Sequence, residues 1–314
     1  MSLKLSPDFR SKTVPYRVFF TWDITYKCNY RCSYCNFNGP DGWNENVVTV
    51  NPGLEKWINI WRKIYDRYGS CEIHFAGGEP FVYPDFMDLI ENLSVIHTME
   101  FSTNLFWEPD DFIRRINPGR ARIGVSFHPE FISFEVFFKK VKKIKDAGFE
   151  IWVNYVGYPP IFKNMYEYKK RFEAIGVFMN VLPFKGKYNG RIYPEGYTDE
   201  EKKYLEKVCD YPWTKKTFDF AFNKKEEKND EYLCRMGQMY AKIYSNGDAF
   251  SCCAKSSVKL GNLIDGTFSL LEEPILCKEK DCPCWKRMVI GKEEFWAEHW
   301  VVPEDARSLL KNKK

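Results

Sequence analysis

Residues 17–35 read RVFFTWDITYKCNYRCSYC, an apolar stretch typical of a strand that runs directly into three closely spaced cysteines. Cys28, Cys32 and Cys35 have the spacing Cys-x3-Cys-x2-Cys, so one short loop carries three thiols. Iron–sulfur clusters normally take four cysteine ligands. Three thiolates therefore either borrow a distant fourth ligand or leave one iron open to a small molecule. A zinc loop and buried free thiols are the alternatives.

The first strand begins a series of six β-α units. The predicted strands are RVFFTWDI at 17–24, CEIHFA at 71–76, TMEFST at 98–103, ARIGVS at 121–126, FEIWVNYV at 149–156 and VFMNVL at 177–182. The predicted helices span 53–68, 84–95, 109–116, 133–147, 162–174 and 199–209. Thr198 and Glu201 form a capping box at the start of the last helix. Serial units of this kind predict an α/β fold, a partial (β/α)6 barrel with functional residues at the carboxyl ends of its strands.

The composition indicates one large globular unit with an appendage. The chain has 314 residues, 44% of them hydrophobic, and a net charge of +4 from 47 basic and 43 acidic residues. The scattered charge indicates no nucleic-acid partner, and no apolar run approaches the roughly 18 residues that span a membrane. Eleven cysteines without an export signal favour metal chemistry in a cytoplasmic protein over disulfides. The predicted domains are an N-terminal arm at 1–16, the barrel at 17–225 and an appendage at 226–314.

A second motif closes the second strand. The stretch HFAGGEP at 74–80 places Gly77, Gly78 and Glu79 at the strand end, where a ligand lying across the backbone would leave no room for a Cβ. With the cysteine triad one β-α unit earlier, this pattern resembles the radical S-adenosylmethionine (SAM) superfamily. In that family the open iron of a 4Fe-4S cluster chelates SAM, and a GGEP motif contacts the SAM amino group.

The resemblance implies further SAM contacts and a reaction. The residues that match them are Tyr34, near the adenine, and Ser102, Asn104, Ser126 and Asn154, around the ribose and carboxylate. Each of these strand-end groups is equally consistent with an ordinary cap. By resemblance, an electron from a reductant such as flavodoxin or ferredoxin cleaves SAM to a 5′-deoxyadenosyl radical, which takes a hydrogen atom from the substrate.

Six of the eleven cysteines lie near the C-terminus. Cys234 and Cys252 flank Gly247 as Cys-x12-Gly-x4-Cys, and the SNGD turn at 245–248 predicts a hairpin that brings both thiols to one end. This pattern resembles the small C-terminal twitch domain, a shorter relative of the SPASM domain; the resemblance implies a β-hairpin plus a helix and one auxiliary 4Fe-4S cluster. We expect Cys282 and Cys284 to complete the ligand set, with Cys277 as an alternate. A structural zinc site is the competing interpretation.

The remaining cysteines have simpler interpretations. Cys253 follows a proposed ligand and is either a small core residue or, facing the cavity, a hydrogen-atom donor of the kind that radical SAM epimerases use. Cys71 and Cys209 lie away from both motifs and are expected to pack in the core.

Two further segments are candidates for substrate contact. His128 follows the fourth strand and is either an acid–base group or a turn cap. The segment 182–197 follows the sixth strand and carries Lys185, Lys187, Arg191 and Glu195. A loop there would lie over the open side of the barrel.

Three outcomes follow for a small-molecule or peptide substrate. Electron loss to the auxiliary cluster would make the protein an oxidoreductase, and we favour this outcome. Hydrogen donation by Cys253 would make it an epimerase. A peptide-modifying maturase is the third hypothesis; about sixteen residues before the first strand are too few for a leader-binding module. A binding module without chemistry would predict a broken triad or GGEP motif, and both are intact.

Overall fold

The computed structural model describes residues 18–35, 48–209, 233–254 and 256–277. The predicted arm at 1–16 and the predicted boundary between residues 225 and 226 lie outside these ranges.

Strands and helices alternate through the first two thirds of the chain. The first six strands are β1 (Phe19–Thr25), β2 (Glu72–Gly77), β3 (Thr98–Thr103), β4 (Ala121–Ser126), β5 (Glu150–Gly157) and β6 (Phe178–Pro183). The helices are α1 (Leu54–Tyr68), α2 (Phe86–Ser94), α3 (Pro109–Arg115), α4 (Phe134–Asp146), α5 (Met165–Glu173) and α6 (Asp199–Val208). The later strands are β7 (Gly186–Tyr188), β8 (Arg191–Tyr193), β9 (Leu233–Cys234), β10 (Tyr240–Ile243), β11 (Asp248–Phe250), β12 (Lys259–Asn262) and β13 (Ile275–Leu276).

Aromatic packing on the outer face of β1 shows why this strand and α1 form together. Successive side chains of a strand point to opposite faces, and Phe20 and Trp22 both point toward α1. The ring centroid of Trp22 lies 4.5 Å from that of Trp57, and the centroid of Phe20 lies 5.2 Å from that of Trp61. All four side chains are almost fully buried. Burial of each such side chain contributes roughly 1.5–3 kcal/mol.

The six-unit parallel sheet is confirmed. Within the described residues, nine strands form one sheet in the order β12-β11-β10-β1-β2-β3-β4-β5-β6, and the pairs from β1 to β6 are all parallel. Helices α1 to α5 provide the crossovers between these strands. The fold is therefore a partial (β/α)6 barrel, and the loops that follow the strands share one rim.

The C-terminal strands extend the barrel sheet. β10 pairs in parallel with β1, with Phe19 opposite Tyr240 and Trp22 opposite Ile243. The SNGD hairpin is confirmed, because β10 and β11 pair antiparallel around that turn. The helix expected beside this hairpin does not occur within 233–254 or 256–277; residues from 278 onward lie outside the described ranges. β10 thus adds a seventh parallel strand to the barrel sheet, at the edge formed by β1.

The structure also describes the predicted capping box and the segment 182–197, which both precede the C-terminal strands in the chain. The capping box at α6 is present: the Glu201 amide donates to the Thr198 hydroxyl at 3.1 Å, and the Thr198 amide donates to the Glu201 carboxylate at 2.8 Å. The segment 182–197 forms a short antiparallel hairpin from β7 and β8. None of the helices described here has the length and apolar character needed to cross a membrane.

Candidate active site

The loop after β1, residues 27–35, carries the three cysteines at the barrel rim. We call it the cluster loop. All three thiols are partly buried and unpaired with one another. The Tyr30 amide donates to the Cys28 sulfur at 3.3 Å, and the Cys35 amide donates to the Cys32 carbonyl at 3.1 Å. These contacts turn the loop so that the cysteines lie along one short segment.

Electrostatics of the three thiols indicate that they are close together. Burial, followed by the neighbouring Cys35 and Cys28 thiols, raises the pKa of Cys32 to about 12. Burial likewise raises the pKa of Cys28, although the Tyr30 amide opposes this change. Thiolates at these positions need a compensating positive charge, which bound iron provides.

The thiol arrangement fits a multinuclear cluster. Among the described residues, no three cysteine, histidine or acidic side chains converge on the position of a single ion. A four-iron cluster is bound through separate irons, so its thiolates need not meet at one point. The cluster loop therefore offers the three cysteine thiolates that a 4Fe-4S cluster with one open iron requires.

Gly77 and Gly78 interlock the end of β2 with the cluster loop. The Gly78 amide donates to the Thr25 carbonyl at 2.8 Å, and the Glu79 amide donates to the Lys27 carbonyl at 2.9 Å. A Cβ on Gly77 would lie 2.2 Å from the Thr25 carbonyl oxygen, and a Cβ on Gly78 would lie 2.3 Å from that of Lys27. The structure thus shows a different reason for glycine than the one expected: the backbone at the end of β1 and the start of the cluster loop fills the space that a ligand was expected to occupy.

A substitution at this contact should affect cluster binding. In Gly78→Ala, the new methyl group would overlap the backbone of Lys27, so either the cluster loop or the end of β2 must move. We expect the reconstituted variant to bind less iron than the wild type, measured as iron per chain. Gly176→Ala is a useful control, because nothing lies within 4 Å of that Cβ and only its positive φ of 66° is strained. Equal iron content in the wild type and Gly78→Ala would contradict the interlock.

Glu79 joins the ends of β2 and β3. Its carboxylate accepts hydrogen bonds from the Asn104 amide at 2.6 Å, the Thr103 hydroxyl at 2.8 Å and the Phe81 amide at 3.1 Å. Burial raises the pKa of Glu79 to about 7, and these hydrogen bonds act in the opposite direction. Its side chain is fully buried, so in this structure the carboxylate organises the rim from beneath.

Asn104 connects the hydrogen-bond network of Glu79 to the cluster loop. Its side-chain amide donates to the Asn29 side-chain oxygen at 2.8 Å and lies 3.8 Å from the Cys28 sulfur. The two sequence motifs and the end of β3 therefore form one hydrogen-bonded unit.

The other predicted strand-end residues fall into two layers of the inner wall. Ser126 and Asn154 are neighbours in register on β4 and β5, and Asn180 on β6 donates to the Asn154 side chain at 3.2 Å. Ser102 pairs with Gly124, two residues before Ser126. Ser126 and Asn154 thus lie near the rim as expected, whereas Ser102 lies one layer deeper.

Comparison with known proteins agrees with these motifs. A model of the radical SAM superfamily matches residues 22–172, which contain the cluster loop, the Gly77–Glu79 segment and strands β2 to β5. The region that carries both motifs thus belongs to the radical SAM superfamily.

The curated relatives match this chain over part of its length. It is 30% identical over 129 residues to a probable GTP 3′,8-cyclase of Methanocaldococcus jannaschii, which is 40% of each chain. It is 31% identical over 106 residues to a GTP 3′,8-cyclase of Yersinia pestis, covering 33% of this chain and 31% of the relative. The chain thus spans less than half the length of these relatives.

Solved structures extend the similarity in fold. The SAM-bound structure of Streptococcus suis SuiB aligns with a TM-score of 0.54 at 16% identity, covering 82% of this chain and 66% of SuiB. The SAM-bound structure of anSMEcpe aligns with a TM-score of 0.53 at 17% identity, covering 81% of this chain and 76% of the other. At these identities the likeness shows the fold alone.

His128 lies against the cluster loop. Its Nδ1 is 3.1 Å from the Tyr34 hydroxyl, and the two rings stack with centroids 5.8 Å apart. Tyr34 is buried and also packs on Tyr158, 5.2 Å away. Burial lowers the pKa of His128 to about 4, so its imidazole is uncharged at neutral pH. The structure places this candidate beside the residue predicted near the SAM adenine.

The inner face of the barrel carries a partly buried polar network that was not predicted from the sequence. His74 Nε2 lies 2.8 Å from the Ser102 hydroxyl and 3.7 Å from Glu100, and Arg122 contacts Glu72 and Glu100 at 2.5 and 2.9 Å. These residues alternate along the strands with apolar ones that pack on the helices, so they share the inner face. This alternation of polar and apolar residues is visible in the sequence and could have predicted the polar network.

A second inner-wall feature joins the barrel to the appendage. Asp23 on β1 and Lys242 on β10 form a buried ion pair of 2.5 Å, and the Tyr26 hydroxyl donates to the other Asp23 oxygen at 2.8 Å. A lone aspartate inside the apolar run of β1 was its sequence signal, but its partner is about 220 residues away in the chain.

Three C-terminal cysteines come together. Cys234, Cys252 and Cys277 belong to one small packing cluster with Met236 and Met239. Pairing of β9 with β13 places Ile275 opposite Cys234 and so brings Cys277 near. Burial and the neighbouring Cys253 and Cys277 thiols raise the pKa of Cys252. Cys277, considered only as an alternate ligand, is therefore placed with the first two, while Cys282 and Cys284 lie outside the described residues.

The other described cysteines differ in burial. Cys71 and Cys209 are buried in the main core, as expected. Cys253 is exposed, so its interpretation as a core residue is wrong. Burial raises the pKa of Tyr244, and the charges of Asp23, Cys253 and Cys252 act in the same direction, which places Cys253 near the junction between barrel and appendage.

The predicted substrate loop lies at the rim next to the aromatic residues. Lys185, Lys187, Arg191 and Glu195 are all exposed. Tyr188 of the β7–β8 hairpin packs on Tyr158, with ring centroids 5.2 Å apart. The hairpin is therefore connected to Tyr34 of the cluster loop through Tyr158.

Proposed function

We propose that this enzyme binds a 4Fe-4S cluster through Cys28, Cys32 and Cys35, cleaves SAM reductively and removes a hydrogen atom from a polar substrate, leading to a redox modification. The observation that carries the proposal is the interlock of the Gly77–Glu79 segment with the end of β1 and the start of the cluster loop, through one backbone hydrogen bond to Thr25 and one to Lys27. When bound, the cluster supplies the electron that divides SAM into methionine and a 5′-deoxyadenosyl radical.

The chain's own residues hold the reactants at the rim. Ser126 and Asn154 offer hydrogen-bonding groups for SAM, and Tyr34 and Tyr158 offer aromatic faces beside the cluster loop. Helices on the outside and the β7–β8 hairpin at the rim limit the access of water, which protects a reactive radical. Cys234, Cys252 and Cys277 would hold an auxiliary cluster in a twitch-like appendage, with Cys282 or Cys284 as a fourth ligand, and so supply an electron acceptor.

The charges of the inner wall bear on the substrate. Within the described residues, Arg122 is paired with Glu72 and Glu100, and Lys242 is paired with Asp23. Neither cation is left to neutralise a triphosphate, although curated relatives are GTP 3′,8-cyclases. The wall suits an uncharged or cationic polar substrate, such as a peptide. SuiB has also been solved bound to its precursor peptide SuiA, with a TM-score of 0.53 to this chain.

The proposal is tested with reconstituted enzyme under reducing conditions. Incubation with SAM should yield 5′-deoxyadenosine, and the protein should hold about eight irons if both clusters are present. Addition of GTP should not increase the yield of 5′-deoxyadenosine. No 5′-deoxyadenosine at all would overturn the proposed reaction, and stimulation by GTP with a cyclised product would replace the proposed substrate class.

A second candidate function is radical epimerisation with Cys253 as the hydrogen-atom donor. The observation in its favour is the exposed Cys253 thiol near Tyr244 at the junction of barrel and appendage. A thiol that donates a hydrogen atom must be accessible to the substrate, and a core cysteine would not be.

Replacement of Cys253 separates the two outcomes. In an epimerase, Cys253→Ala should retain SAM cleavage and iron content while the substrate radical is no longer quenched, so that the epimer is lost and dehydrogenated product appears. Chiral analysis of the product measures this change. Unchanged product in Cys253→Ala would remove the epimerase hypothesis and leave the oxidoreductase function in place.

A further inference from the structure

The loop after β4, residues 127–132, contacts the cluster loop at three places. The two loops are almost a hundred residues apart in the chain. None of the three contacts involves the Gly77–Glu79 segment, so they form a second, independent connection to the cysteines.

The first contact holds Ser33, which lies between two cysteines of the triad. The Ser33 amide donates to one carboxylate oxygen of Glu130 at 3.0 Å, and the Ser33 hydroxyl donates to the other oxygen. The Glu130 carboxylate thus accepts hydrogen bonds from both the amide and the hydroxyl of Ser33. Because the Cys35 amide donates to the Cys32 carbonyl across Ser33, this contact orients the turn that carries Cys32 and Cys35.

The other two contacts are aromatic and lie on either side of Ser33 in the sequence. Tyr30 stacks on Phe131 with centroids 4.6 Å apart and an interplanar angle of 10°. Tyr34 stacks on His128 and shares a hydrogen bond with its Nδ1. Because the cluster loop is held at residues 30, 33 and 34, it cannot rotate about a single contact.

The loop after β4 is itself well anchored. The amides of Phe131 and Ile132 both donate to the His128 carbonyl, at 3.0 and 3.3 Å, which closes a tight turn. The Phe127 amide donates to the Asn154 carbonyl on β5 at 3.0 Å. The contacts are therefore made from a rigid base that belongs to the barrel.

We propose that His128, Glu130 and Phe131 form a clasp that holds the cluster loop in its ligand-binding conformation, with Glu130 as the principal positioning residue. The clasp acts through Ser33 and the aromatic side chains; it neither binds iron nor touches SAM. This inference rests on the proposed binding of a cluster by the triad. It also assigns His128 a positioning role in place of the acid–base role considered from the sequence.

Glu130 also places a negative charge beside the triad. A nearby carboxylate disfavours the addition of an electron to a cluster, because net charge is one of the factors that set its reduction potential. The carboxylate therefore has two separable effects, one through its hydrogen bonds and one through its charge.

Three variants separate these effects. Glu130→Ala removes both acceptors and the charge, whereas Glu130→Gln removes the charge and one acceptor but keeps the other. Glu135→Ala is the matched control, since Glu135 is an exposed glutamate five residues away whose partner is Arg171 on α5. The readouts are iron per chain after reconstitution, the effect of SAM on the EPR spectrum of the reduced protein, and the midpoint potential.

We expect Glu130→Ala to lose up to half of its iron and the SAM-dependent change in its EPR spectrum, while urea unfolding of the apoprotein shows an intact fold. Glu130→Gln should retain iron and shift the midpoint potential to a more positive value. Glu130→Ala that matches Glu135→Ala in all three readouts would overturn the clasp. If the wild type itself bound no SAM-responsive cluster, the proposed function would fail instead, so the two failures are distinguishable.

Discussion

Replacement of Cys28 by alanine is expected to abolish the formation of 5′-deoxyadenosine from SAM. Cys28 is one of three thiols on the cluster loop, and its sulfur also receives the Tyr30 amide and lies near the Asn104 side chain. Without this ligand, two thiolates must hold four irons, and the cluster should be lost or unable to bind SAM. The measurement is the yield of 5′-deoxyadenosine under reducing conditions, together with iron per chain, which should fall from about eight to about four.

Cys209→Ala provides the control for loss of a thiol. Cys209 is buried at the end of α6 and belongs to the hydrophobic core, so its replacement should affect stability slightly and leave the iron content unchanged. Full SAM cleavage by Cys28→Ala would contradict the assignment of the triad. A fall to about zero iron in Cys28→Ala would instead show that the auxiliary site holds none.

Replacement of Lys242 by methionine is expected to destabilise the apoprotein by about 3–5 kcal/mol. The substitution leaves the Asp23 carboxylate buried with the Tyr26 hydroxyl as its remaining partner among the described residues, and burial of an uncompensated charge is costly. The free energy of unfolding, measured in urea on the iron-free protein, reports the effect. Because β10 attaches the appendage to β1, we also expect weaker attachment of the hairpin to the barrel.

Two further variants test the cause of this effect. Lys259→Met breaks the exposed ion pair with Asp248 and should cost at most about 1 kcal/mol. The double variant Asp23→Asn with Lys242→Met removes both buried charges and should recover much of the stability lost in Lys242→Met. A Lys242→Met protein as stable as Lys259→Met would show that the pair contributes little.

Much of the barrel followed from local patterns. The predicted strands at 98–103 and 121–126 have the observed bounds, and the other four are shifted by one or two residues. Alternating apolar residues and the lengths of the crossovers were sufficient, because a parallel sheet can be built from serial β-α units in few ways. The capping box at α6 was equally local, since its two residues are three positions apart.

The glycine pair illustrates where local reasoning failed. The GGEP motif was recognised, but its physical reason was not, because the atoms that exclude a Cβ belong to Thr25 and Lys27, about fifty residues earlier. His74 was overlooked for a related reason. A histidine within a strand acquires meaning only when register places Ser102 and Glu100 beside it.

The C-terminal cysteines show the same limit. Their spacing predicted a hairpin and a shared site, and Cys234 and Cys252 do lie together. The choice of Cys277 required the pairing of β9 with β13, two strands of two residues each. Segments so short have no periodicity that a sequence pattern could reveal.

The sequence by itself determined the type of fold, the cysteine triad and the end of β2 that the triad needs, because strand periodicity and motif spacing are encoded within short stretches. The tertiary structure decided how those stretches support one another: the backbone interlock at Gly78, the ion pair of Asp23 with Lys242, and the contact of Glu130 with Ser33. Each joins groups at least fifty residues apart, and nothing in the local sequence specifies the partner. The cysteine triad is the basis of the proposed radical chemistry, and these long-range contacts hold the loop that carries the triad.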